Sequence, residues 1–292
     1  MPSKRVKRDF VESKAIFPYS NFFYWQKRKI HYTDEGHGTA IIMIHGFGGS
    51  HRNFRKINEL LKKDYRCLRI DLPGFGLSEP LEANGQRYHE IYIKLLTAWL
   101  DSLCIDSCYV IGSSLGGYIS ACLSVAAPDK VKRLVLISSA GYESQKILYN
   151  LKYAKKPFLF ILKKKGLPLT VSKLAAKRLY FNPIYINDAE VQYNNWFWNM
   201  EGNLEAVLHM LSSGELPDSG MIKKIACPTI ILWGKDDKVL PYTHLYMFQR
   251  DLKGAQTALI ESCGHLPMLE KPDITYKYIH KFFGANTENI RY

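Results

Sequence analysis

Three short apolar runs, residues 40–44, 108–112 and 229–234, pass without a polar break into glycine-containing turns. Strands with no polar side must be covered on both faces, which confines such a chain to a sheet with helices packed above and below. Amphipathic segments of helical length, 53–63, 88–103 and 115–127, separate them, the last closed by Pro128. Further strands are expected at 66–71, 131–138 and 257–260, with helices at 242–252 and 274–283. Strand and helix in alternation predict an α/β fold with a doubly wound, mostly parallel sheet.

The alternation stops between about Gly141 and Gly214 and resumes at Ile225. A stretch rich in Lys, Leu, Tyr, Trp and Phe with no buried-strand pattern fits a helical insertion standing over the sheet. The expected organisation is therefore a core of residues 1–140 and 215–292 and a helical cap (lid) of 141–214. A chain of 292 residues with 47% hydrophobic side chains buries such a core comfortably. No apolar run approaches the roughly 18 residues needed to span a membrane. The basic start, Met1 to Phe10, lacks an apolar stretch after it, so the expectation is a cytoplasmic protein without a secretion signal. Six scattered cysteines form no Cys-x-x-Cys pair, which disfavours a disulfide framework or a zinc site and predicts reduced, buried thiols.

The chemistry centres on Gly112-Ser113-Ser114-Leu115-Gly116, a G-x-S-x-G between a predicted strand and a predicted helix. Glycines two positions either side relieve a strained strand-to-helix turn that lifts Ser114 above the strand ends, and the helix start offers N–H groups to developing negative charge. The pattern alone fits a plain Gly/Ser turn as well. Other residues favour chemistry. His45-Gly46-Phe47-Gly48-Gly49 follows an earlier strand, Gly234-Lys-Asp236-Asp237 follows a late one, and Gly264-His265-Leu266-Pro267 follows the next. All these loops leave strand C-terminal ends, where open parallel sheets bind ligands.

On these motifs, together with Asp71-Leu-Pro73-Gly74-Phe75-Gly76-Leu-Ser78, Pro241, Glu270 and Pro272, the sequence resembles the α/β-hydrolase family, in its capped branch of carboxylesterases and C–C bond hydrolases. The motifs run from about residue 40 to 275 in the family's order. The resemblance implies Ser114 as nucleophile, His265 as general base and Asp237 as the acid that orients it, with the backbone N–H groups of Phe47 and Leu115 as oxyanion hole. Asp236 competes with Asp237, which the family spacing prefers. Gly46, Gly48, Ser113 and Leu266 are expected at the substrate. The aromatic group Tyr193, Trp196, Phe197 and Trp198 would either line its pocket, through Trp196 and Trp198, or form the cap's own core. Asp71 reads as a turn cap, His45 as a local loop contact, and the remaining histidines as surface or packing residues.

The leading expectation is a serine carboxylesterase acting on a small to medium hydrophobic ester through an acyl-enzyme, with no metal and no cofactor. Serine at 114 argues against the branches that use aspartate there. A C–C bond hydrolase is the alternative; that branch typically carries a His-Gly-x-Gly-Pro-Gly loop, Asn before the nucleophile and an aromatic residue after the histidine, where this chain has Gly49-Ser50, Ser113 and Leu266. Lactonase, thioesterase and a receptor-like member with a vestigial triad also remain. The net charge of +13 is concentrated in the early cap, where Lys146, Lys152, Lys155, Lys156, Lys163, Lys164, Lys165, Lys173, Lys177 and Arg178 interleave with apolar residues. That pattern fits either an anionic membrane surface as partner or a solvated lysine face, and no nucleic-acid motif accompanies it.

Overall fold

The computed structural model describes residues 6–142, 162 and 165–284. Eight strands form one sheet: β1 (Ser20–Trp25), β2 (Arg28–Glu35), β3 (Ala40–Ile44), β4 (Arg66–Ile70), β5 (Cys108–Ser113), β6 (Val131–Ile137), β7 (Thr229–Gly234) and β8 (Gln256–Ile260). Their order is β1-β2-β4-β3-β5-β6-β7-β8. From β4 to β8 every neighbouring pair is parallel, while β1 and β2 form an antiparallel hairpin whose second strand runs against β4. The sequence reading therefore located six of the eight strands and left out this hairpin.

Alternate residues of the apolar strands face opposite layers. Ile42, Ile44, Val110 and Leu136 pack with Leu95, Trp99 and Ile119, which come from α3 (Tyr88–Ser102) and α4 (Leu115–Ala126). Ile41, Met43, Ile111 and Ile137 pack instead with Phe54, Ile57, Ile279 and Phe282. Most of these belong to α2 (Arg55–Leu61) and to Pro272–Gly284, the last helix. Each fully buried Ile or Leu contributes roughly 1.5–3 kcal/mol relative to exposure, so this two-sided burial holds the strand ends in a fixed row.

Between β6 and β7 the described residues form helices and no strand: α5 (Leu169–Leu179), α6 (Asp188–Asn199) and α7 (Asn203–Ser213). The N-terminal α1 (Arg8–Ala15) buries Val11 and Ala15 against Phe197 and Met200 of this segment. No helix among the described residues is long and apolar enough to cross a membrane. Most of the lysine-rich run expected to meet a membrane or solvent, Lys146 to Lys164, lies outside the described residues. The expectation of buried cysteines fails at two positions: Cys104 is exposed in the turn that ends α3, and Cys227 is only half-buried. Burial pushes the Cys67 and Cys108 thiols up to about 12.

Candidate active site

β5 delivers Ser114 into a turn with φ 54° and ψ −120°, a conformation that costs a non-glycine residue energy. The surrounding fold holds it there. A Cβ on Gly112 would lie 2.4 Å from the Gly116 carbonyl oxygen, and one on Gly116 would lie 2.1 Å from that of Ile44. The two glycines thus pass each other and the neighbouring β3 strand at a distance that no side chain allows. Ser114 N–H donates to the Ile137 carbonyl at 3.0 Å, and its own carbonyl accepts from Gly117 and Ala140.

The Gly-rich loop after β3 closes on the same point. A Cβ on Gly46 would stand 2.8 Å from the Ser114 Cβ, so the loop backbone lies directly against the serine. Leu115 opens α4, where an N–H has no intrahelical acceptor. Neither it nor the Phe47 N–H has an acceptor among the described residues. The loop is pinned from below: the Leu72 N–H donates to His45 Nε2 at 3.0 Å, so His45 Nδ1 carries the proton and donates to the Gly46 carbonyl at 2.8 Å. Burial pushes the His45 pKa down, in keeping with a neutral loop-holding ring.

His265 follows β8 and is buried, its N–H donating to the Leu179 carbonyl at 2.8 Å. Its Nδ1–H donates to Asp237 Oδ2 at 2.7 Å. Asp237 Oδ1 accepts from the N–H groups of Val239 and Leu240 at 2.7 and 2.9 Å, and its side chain is fully buried. The carboxylate is thus held by three N–H groups and aims the imidazole. Among the described residues, Asp236 is engaged only through its backbone, donating N–H to the Cys263 carbonyl at 2.9 Å. The geometry favours Asp237, in line with the family spacing.

Ser114 and His265 line one cavity of about 290 Å³ together with Gly46, Phe47, Gly48, Ser113, Leu115 and Leu266. Trp196 and Trp198 do not line it, which corrects the expectation for both. The face of α6 turned to the cavity carries Glu190, Val191 and Asn194. Trp196 lies two residues beyond Asn194, on the opposite side of the helix, and packs edge-on against Phe10 at 5.7 Å. Trp198 stays nearer that face but covers the loop instead: its Nε1–H donates to the Gly48 carbonyl at 3.1 Å, and its ring abuts Phe47.

The cavity also holds charged groups that the sequence did not reveal. Arg52 pairs bidentately with Glu190 of α6, Nε to Oε2 at 2.9 Å and Nη2 to Oε1 at 2.5 Å, and Arg55 Nε lies 3.4 Å from the same carboxylate. Burial alone would raise the Glu190 carboxyl, but the two guanidinium groups outweigh it and lower its pKa. Elsewhere in the lining, Glu215 accepts from the Tyr88 N–H at 2.7 Å and from His89 Nδ1. No local motif marks either pair, because each joins residues more than a hundred positions apart.

A second cluster lies beneath the loop. Asp71 is fully buried and accepts from His51 N–H at 2.6 Å, His51 Nδ1 at 3.0 Å, His31 Nδ1 at 2.8 Å and Leu77 N–H at 2.9 Å. His31, His51 and Asp71 form a compact donor set of the kind that can hold a metal. Four N–H groups nevertheless already engage the carboxylate, which suits a hydrogen-bonded brace for the loop. Asp71 therefore does more than cap its turn.

The profile of the α/β hydrolase fold family matches residues 39–272. The chain belongs to that family and is a hydrolase by class. It is 29% identical over 265 residues to a 2-hydroxy-6-oxononadienedioate/2-hydroxy-6-oxononatrienedioate hydrolase of Comamonas testosteroni, covering 84% of this chain and 87% of the relative. Among solved structures, the 2-hydroxy-6-oxo-6-phenylhexa-2,4-dienoate hydrolase of Rhodococcus sp. strain RHA1 superposes with a TM-score of 0.79 at 20% identity, over 91% of this chain and 98% of that one. A membrane phospholipase A described as a bacterial virulence factor does so with a TM-score of 0.77 at 22% identity, over 90% and 85%.

Proposed function

We propose that this chain is a serine hydrolase that cleaves the carbon–carbon bond beside the ketone of a 2-hydroxy-6-oxo-2,4-dienoic acid. The observation that carries this reading is the charge at one end of the cavity: Arg52 and Arg55 share the single carboxylate of Glu190, which leaves one positive charge at that end to receive the carboxylate of such an acid. The named activity of the relatives supports it. It exchanges the order of the two readings drawn from the sequence, where the ester came first.

In this reading His265, oriented by Asp237, accepts the Ser114 proton as Oγ bonds to the ketone carbon. The oxyanion is received by the N–H groups of Phe47 and Leu115. The carbon leaving group needs an electron sink, which the keto tautomer of the 2-hydroxydienoate supplies by conjugation. His265 returns the proton as the bond breaks. Water, activated by His265, then hydrolyses the acyl-enzyme and restores Ser114.

Ester hydrolysis is the second reading, favoured by Ser113 and Leu266 in the lining, where the C–C branch typically has Asn and an aromatic residue. Parallel assays of 2-hydroxy-6-oxo-6-phenylhexa-2,4-dienoate and of p-nitrophenyl esters of graded chain length separate the two, with Ser114→Ala as control. A kcat/KM for the dienoate well above that for any ester is the expected result. Ester turnover alone would establish the second reading, and turnover of neither without fluorophosphonate labelling of Ser114 would favour a ligand-binding protein.

A further inference from the structure

The cavity spans the C-terminal edge of the sheet from one helical layer to the other. Arg52 lies in the 3-10 turn that leads into α2 and Arg55 opens α2, on the layer of Ile57 and Phe282, whereas His89 opens α3, on the layer of Leu95 and Trp99, with Ser114 at the end of the strand between. A substrate whose carboxylate lies at the arginines and whose carbonyl lies at Ser114 therefore directs the substituent on that carbonyl toward His89. Most polar groups at that end are already engaged. The Tyr88 hydroxyl is bonded to His209 Nδ1 at 2.7 Å, Tyr118 accepts from the Asp218 N–H at 2.9 Å, and Tyr142 donates to the Met247 carbonyl at 2.9 Å. His89 differs: Glu215 takes its Nδ1–H, and Nε2 has no partner among the described residues.

We infer that His89 is a specificity-determining residue that accepts, through Nε2, a hydrogen bond from an amino or hydroxyl group on the substituent attached to the substrate carbonyl. The inference deepens the proposed function and rests on it for the substrate's orientation. The position of the proton follows from chemistry: a carboxylate only accepts, so Nδ1 carries a proton, and in the neutral form of such a ring Nε2 is the acceptor. Glu215 is shared with Arg87, whose Nε lies 3.8 Å from the same oxygen, so that this end, unlike the arginine end, offers no surplus positive charge to a second carboxylate.

Two substitutions separate this role from a structural one. His89→Asn places an amide N–H where Nδ1 was and removes the Nε2 position, while His89→Gln restores a polar atom near Nε2. The experiment compares kcat/KM for the 6-phenyl, 6-(aminophenyl) and 6-(carboxyphenyl) 2-hydroxy-6-oxohexa-2,4-dienoates. It also compares p-nitrophenyl esters of 3-phenylpropanoate and 3-(hydroxyphenyl)propanoate. The aminophenyl dienoate and the hydroxyphenyl ester are each expected to be preferred over their phenyl counterparts by roughly tenfold, as for one buried hydrogen bond. His89→Asn should abolish the preference and His89→Gln keep most of it.

No preference in the unsubstituted protein, a preference for the carboxyphenyl compound, or a preference that survives His89→Asn would overturn the inference. The first two readouts need no variant and hold even if His89→Asn does not fold. Turnover of the ester pair without the dienoates would sink the proposed C–C chemistry while still reporting on His89. Calorimetry of the dienoate pair on Ser114→Ala reports on it where no chemistry occurs. Failure of both series to bind would overturn inference and function together.

Discussion

Glu270 Oε2 accepts the Gly264 N–H at 2.7 Å, and through this bond a buried carboxylate fixes the backbone one residue before the candidate base. The same carboxylate accepts from Phe181 at 3.1 Å and Asn182 at 2.9 Å, the residues just after α5. One side chain thus ties the His265 loop to the helical segment above it. Glu270→Ala would leave three N–H groups without their acceptor and is expected to cost roughly 2–5 kcal/mol in denaturant unfolding. It should also lower kcat more than it raises KM, because the base and not the cavity wall is displaced. A variant of unchanged stability and kcat would show that water replaces the carboxylate at no cost.

The two adjacent aspartates after β7 offer a sharper test of the site. Asp237 holds His265 Nδ1 and is itself held by two backbone N–H groups, whereas Asp236 is engaged through its backbone. Asp237→Asn retains the shape but presents the wrong hydrogen-bonding partner to the imidazole, and kcat is expected to fall on the order of 10³–10⁴-fold with KM little changed. Asp236→Asn should leave kcat within about twofold. Steady-state kinetics on whichever substrate the protein turns over decides it, and equal effects of the two changes would contradict the assignment.

How much of this was legible in the sequence depended on whether the signal was local. β3 and β7 match the expected bounds residue for residue, because four or five unbroken apolar residues running into a glycine-containing turn admit few other readings. The β1–β2 hairpin escaped for the opposite reason. Its turn is made by Gln26 and Lys27, both at positive φ, 49° and 62°, where a glycine or asparagine would have announced it. The serine, histidine and acid were visible because each follows a strand in a motif of its own. The Arg52–Glu190 and His89–Glu215 pairs were not, since only folding brings the partners together. The tryptophans misled because composition indicates that a helix is aromatic but not which aromatic faces the cavity.

Protonation of the brace beneath the Gly-rich loop gives a pH dependence with a definite sign. Burial, only partly offset by Asp71, pushes His51 down to about 4 from an ordinary 6.5. The unfolded chain then binds a proton on this ring between those values while the folded chain does not, so stability falls as pH drops from about 6.5 to 4. Burial by itself would raise the Asp71 carboxyl, but the imidazoles around it prevail and hold it well below its ordinary value. Its contribution is lost only at still lower pH. Two and a half pH units correspond to about 3 kcal/mol. His51→Asn should flatten that part of the stability profile, measured by unfolding at several pH values. His45 and His244 are lowered in the same direction and remain in both proteins, so the difference between the profiles reports on His51 together with the Asp71 carboxylate that it touches. Parallel profiles would mean that His51 is protonated in the fold.

Removing the carboxylate shared by the two arginines should move stability and affinity in opposite directions. Arg52 and Glu190 are mostly shielded, with side chains 13% and 16% exposed, so Glu190→Gln leaves a partly buried guanidinium facing a neutral amide. The expected cost is about 2–3 kcal/mol in unfolding free energy. The same change raises the local charge from one positive unit to two, and an anionic substrate should then bind more tightly, with KM lower by roughly tenfold at low salt. Arg55→Gln removes the surplus charge and should raise KM for the same substrate while leaving neutral esters unaffected. Measuring KM for a dienoate and for a neutral ester on both variants tests whether this end of the cavity receives a carboxylate. If the two substrates respond alike, the arginines serve only to hold α6 against the core, and the ester reading becomes the stronger one.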